Sequence, residues 1–141
     1  MTEESKQVEN TLKVVLDSNA LFVPLQFKID IFEELEKLLK VNFEVVLLSP
    51  IRQELEKFAE KGSPKMRKNA VYALKLAEKC TLIDVEEKMG ASPDDMIVEV
   101  ARKRGFLVFT NDRKLRKRLR NINVPVIYVR QKSQLEIDGR I

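Results

Sequence analysis

Histidine and tryptophan are absent from this chain of 141 residues, cysteine occurs once, and aromatic side chains make up only 6%. Each absence removes a class of chemistry. Without histidine there is no ordinary general base near neutral pH and no imidazole ligand for zinc, so any metal here must be bound by oxygens. The single cysteine, Cys80, excludes an internal disulfide, and its place beside Leu76 and Leu82 suits a small buried apolar residue better than a nucleophile. No apolar run approaches the ~20 residues needed to cross a bilayer. Met1 to Asn10 are polar and mixed in charge, unlike a leader with a basic segment and then an apolar one. The expectation is a cytoplasmic protein that makes no membrane contact.

The length fits one domain, which at this size removes roughly 70% of the unfolded surface from water. Its overall charge of +4 conceals an asymmetry. Residues 1–100 carry 14 Lys and Arg against 19 Asp and Glu, whereas residues 101–132 carry 11 against one. The one acid in that basic stretch is Asp112, set among Arg113, Lys114, Arg116, Lys117, Arg118 and Arg120. Such a stretch suits a phosphate-binding surface, although a solvated helix face is the commoner meaning of a charge run.

Apolar periodicity divides the chain into alternating elements. Residues 1–11 read as a lead-in, residues 12–132 as the domain, and residues 133–141 as a tail or edge strand. Short β-branched or apolar runs predict a buried strand at Leu12–Leu16 and further strands at Val45–Leu48, Leu82–Val85, Phe106–Phe109 and Val124–Val129. Between them, spacings of three and four predict helices: one through Ile29, Phe32, Leu35 and Leu39 after a turn at Pro24, one capped by Ser49-Pro50, and one running through Ala70 and Leu74. A further helix begins at Ser92-Pro93 and stops at Gly105, and a basic one covers Arg113–Arg120. The alternation argues for an α/β fold with a parallel sheet covered on both faces. The strand order 3-2-1-4-5 is one of few that right-handed crossovers permit.

In that order strands 1 and 4 are neighbours at the point where the order reverses, which is where ligands bind beyond the carboxyl ends of the strands. Asp17 ends the first strand, and Asp112 follows the fourth. Glu54 lies inside the apolar stripe of Ile51, Leu55 and Phe58, where an ordinary surface glutamate would not be placed, and Asp94 shares a face with Ile97, Val98 and Ala101. Asp95 points nearer the edge of that face. Asp17 and Asp112 also suit helix-capping roles, and Asp94 and Asp95 first-turn positions. Two carboxylates 4 Å apart repel by about 4 kcal/mol at an effective dielectric near 20, so a cluster of them needs a cation. Without histidine or thiolate, Mg2+ or Mn2+ is the natural occupant, as one ion or two. Ser18, Asn19, Asp95, Thr110 and Asn111 would surround those ligands.

Asp17-Ser18-Asn19, Pro50-x-x-x-Glu54-Leu55, Asp94-Asp95-x-Ile97-x-x-x-Ala101 and Thr110-Asn111-Asp112 together resemble the PIN-domain family of metal-dependent ribonucleases, over about Leu12 to Val129. The resemblance implies a three-layer α/β/α sandwich with a five-stranded parallel sheet of order 3-2-1-4-5. It also implies Mg2+- or Mn2+-dependent hydrolysis of RNA phosphodiesters, with Asp17, Glu54, Asp94 and Asp112 as the acidic quartet. The Asp94–Ile97, Thr110–Leu115 and Val124–Tyr128 segments look most like the branch of ribosome-assembly nucleases that cut precursor ribosomal RNA. VapC-type toxins share the quartet, and that relationship would bring an antitoxin partner and often a homodimer. Two rivals stand beside this reading. A phosphoacceptor or phosphatase would use Asp17 as nucleophile, although the dehalogenase-like version wants an aspartate where Asn19 stands. An RNA-binding assembly module without cleavage would rest on the basic stretch alone.

Overall fold

A computed structural model describes residues 11–141. The lead-in expected over residues 1–11 lies outside the described residues, apart from Thr11. Strand β1 spans Leu12–Leu16, β2 Phe43–Leu48, β3 Thr81–Ile83, β4 Leu107–Phe109, β5 Val126–Arg130 and β6 Gln134–Asp138. They form one sheet of order β3-β2-β1-β4-β5-β6. The first five strands are parallel and in the expected order; β6 is an added sixth, antiparallel to β5. Left-handed backbone at Gln131 and Lys132 reverses the chain there, and Leu135 supplies the buried anchor that seats the edge strand.

Six helices cover the sheet: α1 Ser18–Phe27, α2 Ile31–Leu39, α3 Ser49–Lys61, α4 Pro64–Ala77, α5 Pro93–Arg104 and α6 Arg113–Asn121. The sandwich of helices around a parallel sheet is the expected fold class. Helices α1, α3 and α4 pack on one another, α5 packs on α6 and β4, α6 on β5, and α2 against β6. The core is the sheet's own apolar runs, with Val14, Val15, Leu16, Val46, Leu48, Val108 and Phe109 fully buried. Burial on both faces explains why these strands read as continuous rather than alternating apolar segments.

Two local expectations are corrected. Helix α1 replaces the expected turn at Pro24, which lies inside it. Asp17 caps that helix by accepting a hydrogen bond from Ala20 N at 2.9 Å, and Ala20, Leu21 and Val23 are buried, so packing offsets the one backbone bond that proline removes. Ser49 does not cap α3. Leu48 occupies the cap position with no side-chain bond, and Ser49 Oγ instead accepts from Val85 N at 2.9 Å, pinning the loop that follows β3. Ser92 behaves as expected, forming a reciprocal capping box with Asp95, and Gly105 ends α5 in left-handed backbone at φ 69°.

Candidate metal centre and nucleic-acid face

The reversal of strand order sets the ends of β1 and β4 side by side, with Leu16 opposite Phe109. The residues that follow them, Asp17 and Thr110, are the buried polar residues among those described. Thr110 joins the two acidic loops through one oxygen. Its hydroxyl donates to Asp17 Oδ2 and accepts from Asp112 N at 3.0 Å. Asp112 in turn caps α6, its Oδ1 accepting from Lys114 N at 2.8 Å and Leu115 N at 3.2 Å. A second tie runs in parallel: Asn19 Oδ1 accepts from Asn111 N at 3.1 Å, and Asn111 Oδ1 accepts from Val129 N at 2.8 Å. Thus β1, α1, β4, α6 and β5 are stitched together at one end of the sheet. No hydrogen bond joins the Ser18 side chain to the other described residues.

Electrostatics show which acids face one another. Burial pushes the Asp17 carboxyl from its ordinary 3.8 up to about 7; the bonds from Thr110 and Ala20 oppose that rise, and the charges of Asp94 and Asp112 add to it. Asp94, in the first turn of α5, is also raised, by burial first and then by the negative charges of Asp112 and Glu54, while Arg118 pulls it back. The four acids of the expected quartet therefore feel each other across three helix beginnings and the second turn of α3. Three of those helix N-termini present positive dipole ends to the cluster. It is Asp94, and not Asp95, that the fold brings to the other acids. Asp95 accepts from Ser92 N at 2.9 Å and pairs with Arg118 at 2.9 Å across to α6.

Among the described residues, no group of three acids is set to hold a metal ion as it stands. Asp17 and Asp112 direct oxygens at helix N–H groups and at Thr110, and like charges keep carboxylates apart unless a cation lies between them. The donor chemistry nevertheless fits a hard divalent ion. Every candidate ligand is an oxygen, and burial first, then neighbouring acid charges, raise both Asp17 and Asp94. Beside the cluster, a groove of about 420 Å³ opens between α3 and the loop leading into α5, with Glu54, Lys57, Lys88 and Pro93 on its walls.

The basic residues of α6 divide into two sets. Arg113, Lys114 and Lys117 are exposed and form no ion pair with the described residues. Arg116 and Arg120 both pair with Asp138 of β6, at 3.1 and 3.2 Å, and the Arg116 guanidinium stacks 3.7 Å from the centre of the Tyr128 ring. Arg118 is half-exposed beside Asp94. Sequence reading missed these pairings, because Asp138 lies beyond the basic stretch and only β5–β6 pairing carries it back. Cys80 lies far from this end of the sheet in sequence and packing; burial pushes its thiol up to about 11.

A parallel sheet that ends in a group of carboxylates at its switch point, flanked by a cationic helix, defines a compact α/β domain with opposite charges gathered at the carboxyl ends of its strands. Residues 14–132 match the model of the PIN-like domain family, and the chain belongs to that family. It is 35% identical over 134 residues to ribonuclease VapC4 of Methanocaldococcus jannaschii, an alignment covering 92% of this chain and 98% of the relative. The solved PIN domain endonuclease Utp24 shares 28% identity at a TM-score of 0.75, with 92% of each chain covered. VapBC2 from Rickettsia felis, at 19% identity and a TM-score of 0.63, shares the fold over 84% of this chain and all of its own.

Proposed function

We propose that this protein is a cytoplasmic endoribonuclease dependent on Mg2+ or Mn2+. What supports the reading is the placement of Asp17 and Asp112 at the switch point, tied through Thr110, with Asp94 close enough to both for its charge and that of Asp112 to act on Asp17, and Glu54 acting on Asp94. Those four residues would hold one or two ions. When bound, such an ion would supply Lewis acidity, which lowers the pKa of water so that hydroxide is available as nucleophile, and would offset charge on the phosphoryl oxygens.

The chain's own groups do the rest. Thr110 fixes Asp17 and Asp112 relative to each other, and Asp17, held on both oxygens, contributes position as well as charge. Arg118, braced by Asp95 at the edge of the cluster, would offer its guanidinium to a phosphate near the scissile bond. Arg113, Lys114 and Lys117 hold the backbone on either side, giving affinity that falls with salt and carries little sequence information. Tyr128 is occupied by Arg116, which leaves little aromatic surface for stacking bases.

The substrate we favour is structured RNA, precursor ribosomal RNA among it. A second reading, a toxin ribonuclease held by an antitoxin and working as a homodimer, is favoured by the 35% identity to a protein named VapC4. Cleavage of structured RNA with Mn2+ by the wild type and by Asp17→Asn and Asp94→Asn tests the shared core of both. The expected result is activity in the wild type only, abolished by EDTA. Equal residual cleavage in all three would assign the activity to a contaminant. Co-expression with the product of a neighbouring small reading frame separates the two, since an antitoxin would silence that cleavage stoichiometrically.

A further inference from the structure

A second cationic site lies at the other end of the sheet from the acids. Helix α6 starts at Asp112, beside the carboxyl end of β4, and runs back so that Arg120 and Asn123 reach the amino end of β5. There β6 finishes, with Asp138 opposite Val126. Between these chain ends is a cavity of about 480 Å³ lined by Arg120, Asn123, Gly139 and Arg140.

Its walls are built for an anion. The Arg120 guanidinium is held on two edges, Nε against Asp138 Oδ1 at 3.2 Å and Nη1 donating to Val124 O at 3.4 Å, so its orientation is fixed rather than free. Gly139, at φ 109°, brings bare backbone against it; a Cβ there would sit 2.5 Å from Arg120 Nη1. Asn123 occupies left-handed backbone at φ 61° on the opposite rim. Arg140 is exposed and makes no ion pair with the described residues. The local acid, Asp138, is shared by Arg116 and Arg120, so it does not fully offset the two arginines, Arg120 and Arg140, on the cavity wall. No apolar side chain lines the cavity, which speaks against an apolar ligand.

We propose that this cavity is a phosphate subsite that takes a backbone phosphodiester of the same RNA whose scissile bond lies at the acid cluster. The identity of the ligand as RNA rests on the nuclease reading above. The nine residues of α6 separate the two sites by about 13 Å at 1.5 Å per residue. Arg113, Lys114 and Lys117 lie along that path. Only an RNA long enough to run the helix engages both ends, so the subsite selects for length and reads no base.

The test measures RNA binding, not cleavage, in the Asp17→Asn background, comparing a strand of about 30 nucleotides with a dinucleotide, whose single phosphodiester cannot reach across the length of α6, over a salt series. Adding Arg140→Ala is expected to weaken binding of the long strand three- to tenfold and to reduce its salt slope by about 0.7, with the short strand unaffected. Arg140→Lys should restore most of the affinity, and Arg140→Glu should lose more than alanine does. Equal affinity and slope with and without Arg140, or equal losses for both lengths, overturns the proposal. A parallel titration with inorganic phosphate distinguishes the other source of the same chemistry. Saturation at millimolar phosphate that Arg140→Ala abolishes, with long-strand binding unchanged, would make this a free-anion site and overturn the proposal as stated. Length-dependent loss in a protein whose wild type never cleaves would sink the nuclease reading and leave the subsite standing.

Discussion

Removing the charge at Asp17 should make the metal-free protein more stable while making it inactive. Asp17 is 3% exposed, and moving its carboxyl from 3.8 to about 7 disfavours the ionised folded form by about 4 kcal/mol. The sign follows from proton binding. In the unfolded chain the group loses its proton near 3.8, whereas in the folded chain it keeps it until about 7. The contribution is therefore fully present below about pH 4, declines through that window, and is lost above about pH 7. Asp17→Asn does not ionise, and its carbonyl can still accept from Ala20 N. Its amide must turn a donor toward Thr110 Oγ1, which already accepts from Asp112 N, and we allow about 1–2 kcal/mol for that rearrangement. The net expectation is a gain of about 2–4 kcal/mol at pH 8 that turns into a loss of about 1–2 kcal/mol near pH 4. Urea unfolding of both proteins in EDTA at the two pH values reads it directly, and adding Mn2+ should stabilise the wild type alone. A variant no more stable than wild type at pH 8 in EDTA, or a gain independent of pH, would refute the claim that Asp17 is a charge held at a loss for the sake of a cation.

Other substitutions separate structural from chemical roles. Asp112→Ala should lose about 1 kcal/mol of stability as well as cleavage, because two helix N–H groups lose their acceptor, whereas Asp112→Asn should keep the stability and lose the cleavage; a thermal melt beside an activity assay checks both. Thr110→Val, at a fully buried site, should destabilise by about 1–3 kcal/mol by leaving Asp17 Oδ2 and Asp112 N unpaired, and residual activity should shift to higher pH as Asp17 rises further; an unmoved pH profile would separate Thr110 from the acid. Replacing Arg113, Lys114 and Lys117 together with alanine should lower the salt slope of RNA binding by about 2 with metal affinity nearly intact, and an unchanged slope would remove that face of α6 from the interface.

Much of this architecture was legible because its signals are local. Continuous apolar runs such as Val14-Val15-Leu16 and Leu107-Val108-Phe109 can only be strands buried on both faces, and handedness leaves few orders in which to join them. Glu54 betrayed itself by sitting in an apolar stripe. The departures share a different physics. Pro24 signals a break, yet the buried face of Ala20, Leu21 and Val23 outweighs one missing bond, a tertiary override that propensity does not register. Ser49-Pro50 has the form of a cap, but Val85, which is 36 residues away, claims the hydroxyl. Gln134–Asp138 is short and alternates polar with apolar, so nothing nearby decided between strand and tail until β5 offered an edge. The split of the basic helix into free and committed cations depends on that same late strand.

One carboxylate on β6 thus sets the direction of two arginines that would otherwise swing free. A chain cut before Gln134 would be more cationic toward solvent and less ordered along α6 at once. Because the cut also removes Arg140, such a chain should lose its preference for long strands over short ones, so the terminal hairpin exchanges loose attraction for a directed grip.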